Sequence, residues 1–193
     1  MDQLVTYELR DEIALIGLNR PAKRNAISDR VVEALHLAIE QAQLEAKAAV
    51  IFGEGKHFCA GLDLAEHSEK PLIAAVQGSR RWHKIFDGIE RGAIPFVVAL
   101  KGAVVGGGFE LAAAAHVRVA EETAFFGLPE GTRGIFVGGG GSVRIGRLIG
   151  SHRMTDMMLT GRTVSPVQME QWGGVSYVVP EGQALEKAIA LAK

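Results

Sequence analysis

Apolar residues arrive along this chain in two rhythms. Val5, Tyr7 and Leu9 alternate with polar neighbours, whereas residues 13–18 are apolar almost without a break. Alternation marks a half-wet strand and a short unbroken run a buried one, so the pair predicts a β-hairpin turning at Asp11-Glu12. After Asn19-Arg20-Pro21 and a polar loop, Ser28 is placed to cap a helix over 29–46, with Val32, Leu35, Ile39 and Leu44 near one face. Residues 48–52 read as a buried strand and 53–56 as a turn. Residues 57–64 are irregular and apolar with one acid. A helix over 72–89 sets Trp82 and Phe86 four apart. The strand beginning at Pro95 runs into a glycine-rich stretch. Further on come strands near 117–120 and 175–179, a stretch over 123–130 between them, and helices near 143–148, 152–159, 166–172 and 183–193. In the last helix Leu185, Ile189 and Ala192 share an apolar face with nothing after it to bury against. Strands and helices interleave without a linker, repeat or charge block, which predicts one α/β domain.

The centre of the pattern is residues 101–115, where three consecutive glycines, Gly106, Gly107 and Gly108, separate an apolar strand from an alanine-rich helix. Glycine admits a ligand close to the main chain, and the first N–H groups of a helix have no intrahelical acceptor. Two readings fit three glycines alone: a tight turn without a ligand, or a site for an anion or a developing oxyanion. Glu110 shifts the balance toward chemistry, because it puts a carboxylate in the first helical turn beside those N–H groups.

Composition removes several classes of function. With 193 residues, 48% hydrophobic and 22% charged, the chain can bury a real core. A net charge of −1 gives no electrostatic reason for nucleic acid or a membrane surface. One cysteine, Cys59, allows no internal disulfide, and Met1-Asp2 opens without a basic-then-apolar leader, so a cytoplasmic protein is expected. Neither glycine cluster spells a dinucleotide-binding G-x-G-x-x-G, and no phosphate loop, nucleophile elbow or H-E-x-x-H pair occurs. Hydride transfer, ATP hydrolysis, serine-triad chemistry and zinc-bound water all lose weight. Glycines, backbone N–H groups and carboxylates remain.

Five segments in order then resemble one family. They are Leu18-Asn19-Arg20-Pro21 with Asn25-Ala26-Ile27, Phe58-Cys59-Ala60-Gly61-Leu62-Asp63-Leu64, Gly106-Gly107-Gly108-Phe109-Glu110-Leu111-Ala112, Phe126-Gly127-Leu128-Pro129-Glu130, and Leu159-Thr160-Gly161-Arg162. This arrangement resembles the enoyl-CoA hydratase/isomerase (crotonase) superfamily across nearly the whole chain. The resemblance implies a crotonase-like ββα spiral with roughly perpendicular sheets and outer helices, formed by residues 1–193 as a single core domain that lacks the family's C-terminal helices. It also implies an acyl-CoA thioester partner, assembly as a homotrimer or hexamer, and no nucleic-acid or membrane partner.

By position in the family's motifs, the amides of Leu62 and Gly107 become the oxyanion hole, and Glu110 and Glu130 the two catalytic carboxylates. Ala60, Gly61 and Asp63 fall in the segment expected to contact the coenzyme A part of the substrate. Lys23 and Arg24 are candidates for its phosphates, although a solvated basic loop explains them equally well. No metal or redox cofactor is implied, and coenzyme A enters only as part of the substrate. Retention of both acids favours hydration of a 2-enoyl-CoA, one acid acting on water and the other on the α-carbon. Double-bond isomerisation through Glu130, another thioester lyase or hydrolase reaction, and non-catalytic acyl-CoA binding are the alternatives. Departures from the family pattern include His116 where aspartate is usual, Gly131-Thr132-Arg133 after the second acid, and Val137 where proline is common. His116 is expected to be structural and Cys59 to be packing, not a nucleophile.

Overall fold

The computed structural model describes residues 3–67 and 72–193, so Met1 and Asp2, on which the leaderless reading rests, lie outside the described residues. The chain opens with β1 (Val5–Arg10) and β2 (Ile13–Leu18), paired antiparallel from Val5↔Leu18 to Arg10↔Ile13. Asp11 and Glu12 both take positive φ, 50° and 62°, the two-residue turn whose twist suits a hairpin. Helix α1 (Asp29–Glu45) follows, its first turn capped by Ser28 Oγ, which accepts from Val31 N at 3.3 Å. Val32, Leu35 and Ile39 are buried as expected, but Leu44 is 88% exposed. At about 3.6 residues per turn Leu44 lies on the opposite side of the helix from the buried Leu35. Then come β3 (Ala48–Gly53), the short α2 (Leu64–His67), the long α3 (Leu72–Arg91) and β4 (Phe96–Leu100). Next are β5 (Ala103–Val105), α4 (Gly107–Ala114), β6 (Val117–Glu121), β7 (Phe125–Gly127), α5 (Gly141–Ile149) and α6 (Ser151–Thr160). The chain closes with β8 (Thr163–Val164), α7 (Pro166–Gln171), β9 (Tyr177–Val179) and α8 (Ala184–Ala192).

The strands form two sheets. One has six strands in the order β1-β2-β3-β4-β6-β9, parallel except for the opening hairpin, and the other has three in the order β5-β7-β8. Alternate residues of the larger sheet feed different cores. Ala14, Ile16, Leu18, Phe96, Val98 and Leu100 join the cluster that includes α1, α3 and α4 residues. Ile13, Leu15, Val97 and Ala99 join a second cluster with Ala184 and Ala188 of α8. Both faces being covered explains why β2 and β4 are apolar throughout. It also corrects the expectation that the last helix has nothing to bury against. Helix α8 lies on the second face of the sheet, where Leu185, Ile189 and Ala192 are partly buried.

The strand that feeds the three glycines is β5, not the one beginning at Pro95. β4 stops at Leu100, and Gly102, with φ 52°, turns the chain into the second sheet. The segment around Cys59 then runs parallel to β5: Cys59 N donates to Ala103 O at 2.9 Å and Val105 N to Cys59 O at 3.0 Å. This pairing delivers Leu62 to the same end of β5 as Gly107. On its other side Leu62 is bracketed by Ile27, whose N donates to Gly61 O while its O accepts from Asp63 N. Alternation along an extended chain therefore turns the Leu62 N–H away from Ile27, toward Gly107.

Candidate active site

The amides of Leu62 and Gly107 border one small volume. A methyl group built on Gly61 would lie 3.2 Å from Gly107 N, and one built on Gly107 would lie 3.7 Å from Leu62 N. Among the described residues neither N–H has an acceptor. Buried N–H groups are almost always paired, so two adjacent ones facing a cavity mark a place for an external oxygen. Gly107 is at the first position of α4, where helix geometry itself removes the acceptor. Its α-carbon is covered by Trp82, since an added methyl would meet the indole at 2.6 Å. Trp82 in turn packs edge-to-face on Phe86, with centroids 5.5 Å apart.

These groups open on a cavity of about 410 Å3, lined by Leu62, Val76, Trp82, Ile135 and Phe136 and by both acids, Glu110 and Glu130. Glu110 is 4% exposed and Glu130 5%. Glu110 sits in the first turn of α4, and its Oε1 accepts two backbone N–H groups, from Gly139 and Gly141, each at 2.8 Å. Burial pushes the Glu110 carboxyl up to about 7 against the pull of those two bonds, with the charge of Glu130 adding to the rise and Arg144 opposing it. Glu130 precedes a 3-10 turn, Gly131–Arg133. Its Oε1 lies over Gly106, where an added methyl would approach to 2.7 Å, and its Oε2 is buried with no partner among the described residues. Burial raises its affinity for a proton, and only the nearby Arg133 charge and one backbone bond work the other way. A cavity with two partnerless N–H donors on one wall and two protonatable carboxyls on another can bind an oxyanion and move protons beside it.

None of the remaining sequence candidates lines this cavity. Ala60 N donates to Arg24 O at 2.9 Å, and Lys23 and Arg24 are exposed at the 3-10 turn Pro21–Lys23. Asp63 is engaged by Arg20, with Nη2 to Oδ2 at 3.1 Å, and neither lines the cavity. Gly61 has φ 90° and its N donates to Cys59 Sγ at 3.3 Å. The Cys59 thiol is fully buried, which drives it up to about 12 and away from nucleophilic use. His116 Nδ1 accepts from Phe96 N at 3.1 Å, a structural bond as expected.

Two residues have organising roles that the sequence does not announce. Asn25 is buried with φ 56°; its Oδ1 accepts from Arg20 N, and its Nδ2 donates to Glu54 O and His57 O. It fastens the 19–27 loop to the 53–57 turn and so holds Ile27 against Leu62. The other is Arg144 on α5, buried beside the second glycine cluster. A buried arginine can be foreseen only when its acids are known to face it. Asp87 and Glu90 are more than fifty residues away in sequence, separated by 57 and 54 positions.

Comparison with known proteins gives this architecture a family. The Enoyl-CoA hydratase/isomerase family model matches residues 8–193, and the chain belongs to that family. The 2,3-dehydroadipyl-CoA hydratase of Escherichia coli strain K12 is 37% identical over 194 residues, covering 100% of this chain and 75% of that protein. The enoyl-CoA hydratase EchA19 of Mycobacterium tuberculosis is 32% identical over 190 residues, covering 96% and 71%. The crystal structure of an enoyl-CoA hydratase from Bacillus anthracis superposes with a TM-score of 0.92 at 32% identity, covering 98% of this chain and 75% of that one. A structure from Rhodopseudomonas palustris CGA009, described provisionally as an enoyl-CoA hydratase, gives 0.94 at 48% identity, covering 99% and 74%. The mixed α/β fold with two sheets is therefore the crotonase fold, and the chain is a hydratase-like enzyme.

Proposed function

We propose that this enzyme adds water across the α,β double bond of a 2-enoyl-CoA thioester. The observation that carries the reading is the meeting of two partnerless N–H groups, Leu62 and Gly107, with two buried, proton-avid carboxyls in one cavity. The thioester oxygen takes both N–H donors, whose bonds strengthen as it acquires enolate charge; each such donor is worth about 3–4 kcal/mol in the transition state. The two acids differ in a way that divides their labour. Glu110 has one oxygen fixed by two N–H groups, which favour its ionised form, and its other oxygen is left to accept a proton from water. Glu130 has a partnerless buried oxygen, which favours the protonated form and supplies a proton to the α-carbon. Water oxygen bonds to the β-carbon, its proton goes to Glu110, and the Glu130 proton goes to the α-carbon. Exchange with solvent then restores the pair. The chemistry calls for no metal or redox cofactor, and coenzyme A arrives with the substrate. The same reading gives the Ala60, Gly61 and Asp63 segment, with Lys23 and Arg24, the coenzyme moiety. A homotrimeric or hexameric assembly in the cytoplasm belongs to the same reading.

Crotonyl-CoA tests the proposal directly, because hydration removes the absorbance of the conjugated thioester. Loss of that absorbance with formation of a 3-hydroxyacyl-CoA is the expected result. A second reading, movement of a double bond through Glu130 alone, draws on the contrast between its partnerless oxygen and the occupied oxygen of Glu110. Conversion of a 3-enoyl-CoA to the 2-enoyl isomer without hydration would select it.

A further inference from the structure

Every peptide of the second glycine cluster that touches Glu110 is held from behind. The peptide joining Gly138 and Gly139 gives its N–H to Glu110 Oε1 at 2.8 Å, while its carbonyl accepts from Ser79 Oγ at 3.1 Å. The peptide joining Gly140 and Gly141 gives its N–H to the same oxygen, and its carbonyl accepts from Val143 N and Arg144 N, both at 3.1 Å. Between them, the carbonyl of Gly139 accepts from Arg144 Nη1 at 3.3 Å. The other two nitrogens of Arg144 are anchored on α3, with Nε to Glu90 Oε2 at 2.9 Å and Nη2 to Asp87 Oδ1 at 2.5 Å. The Arg144 side chain is 7% exposed, and a methyl added to Gly140 would come within 2.3 Å of Nη1. The loop thus has no slack on the side facing Arg144.

We infer that Arg144 is a positioning residue for Glu110, clamping the 138–141 loop to α3 so that two of its N–H groups converge on one carboxylate oxygen. This inference rests on the proposed role of Glu110 as the base. Arg144 has two routes to that carboxyl. Its fork fixes the amides, and its charge acts on Glu110 through a water-poor interior. Both favour ionised Glu110, so loss of Arg144 moves Glu110 toward the protonated form. The charged and titratable groups facing this corner are Glu130 across the cavity, Arg133 beside Glu130, Asp87, Glu90 and Arg144 behind the loop, and His83 next to Gly140.

Titration of the Glu110 side-chain carboxyl, followed by NMR of the ligand-free protein labelled at the glutamate carboxyl carbon, reads the effect without any turnover. The Glu110 signal is assigned by its loss in Glu110→Gln. Arg144→Gln is expected to raise the Glu110 midpoint by roughly one pH unit. Arg144→Lys keeps the charge but not the fork, so a smaller rise is expected; it carries the test if the glutamine variant does not fold. In crotonyl-CoA hydration, kcat at neutral pH should fall roughly tenfold in Arg144→Gln with KM little changed, and its rising limb should move to higher pH. An unmoved Glu110 midpoint in a folded Arg144 variant overturns the inference. A moved midpoint in a protein whose parent form does not hydrate crotonyl-CoA upholds the clamp and rejects the hydratase reading alone.

Discussion

In the first glycine cluster the N–H of Gly107 has no acceptor among the described residues and borders the cavity; in the second, the N–H groups of Gly139 and Gly141 both end on Glu110 Oε1. The same residue type exposes main chain for two purposes. At Gly107 the absence of a side chain lets Trp82 and an incoming oxygen share the space above one peptide. At Gly139 and Gly141 it lets a side-chain carboxylate come within hydrogen-bond reach of two peptides, since a methyl on Gly141 would meet Glu110 Cγ at 2.6 Å. One cluster leaves the Gly107 donor facing the cavity. The other commits its donors to the protein's own acid, and thereby fixes which oxygen of that acid remains available.

The largest effects should come from the two acids, of which the second cluster holds Glu110. Glu130→Gln and Glu110→Gln keep shape but remove proton transfer, and each should lower kcat for hydration by roughly 10²–10⁴-fold with little change in thioester affinity. Steady-state kinetics with crotonyl-CoA checks this. Hydration that survives Glu110→Gln while Glu130→Gln abolishes it would break the proposed division of labour and leave a one-acid mechanism.

Next in size is the first cluster. Gly107→Pro deletes the partnerless N–H, and hydration should drop by roughly 10²–10³-fold. If the two clusters are separate devices, the Glu110 carboxyl should still titrate near its parent midpoint in this variant. A thermal melt must accompany the assay, because the proline ring has to share space with Trp82. Gly107→Ala is a packing test as much as an oxyanion test, for the same reason. A folded Gly107→Pro with parental kcat would show that this N–H is not used.

How far this was legible in the sequence depends on the range of the interaction. Periodicity placed the opening hairpin, the α1 cap at Ser28 and the Trp82–Phe86 pair, all of which are decided within a few residues. Motif order placed Glu110 and Glu130 on one cavity with Leu62 and Gly107. Short strands such as β5 and β8 were missed, because two or three residues carry no period and exist only through their partners. α8 was misjudged for a related reason. Its apolar face matches the second face of the large sheet, and nothing local announces that β2 and β4 are covered twice. Asn25 and Arg144 escaped because each works by joining segments distant in sequence.

The smallest effect concerns stability, and it follows from the price of burying Glu110. Its carboxyl ionises near 7 in the folded protein against an ordinary value of 4.5. Between those values the native state binds more proton than the unfolded chain, so unfolding free energy falls as pH rises from about 4.5 to 7. The contribution is fully present below 4.5 and is lost above 7. A difference of that size corresponds to an upper bound on the order of 3 kcal/mol, reduced by whatever Arg144 and the loop reorganise when the group ionises. Glu110→Gln cannot ionise, so it should flatten this part of the profile and gain stability on the parent as pH rises from 5 to 8. Gly107→Pro, which alters the cluster that holds no carboxylate, should leave the slope intact. Urea unfolding of the parent and both variants across that range measures the slopes. Equal slopes for the parent and Glu110→Gln would mean that Glu110 is no more proton-avid in the folded chain than in the unfolded one, and the contrast between the two clusters would lose its electrostatic half.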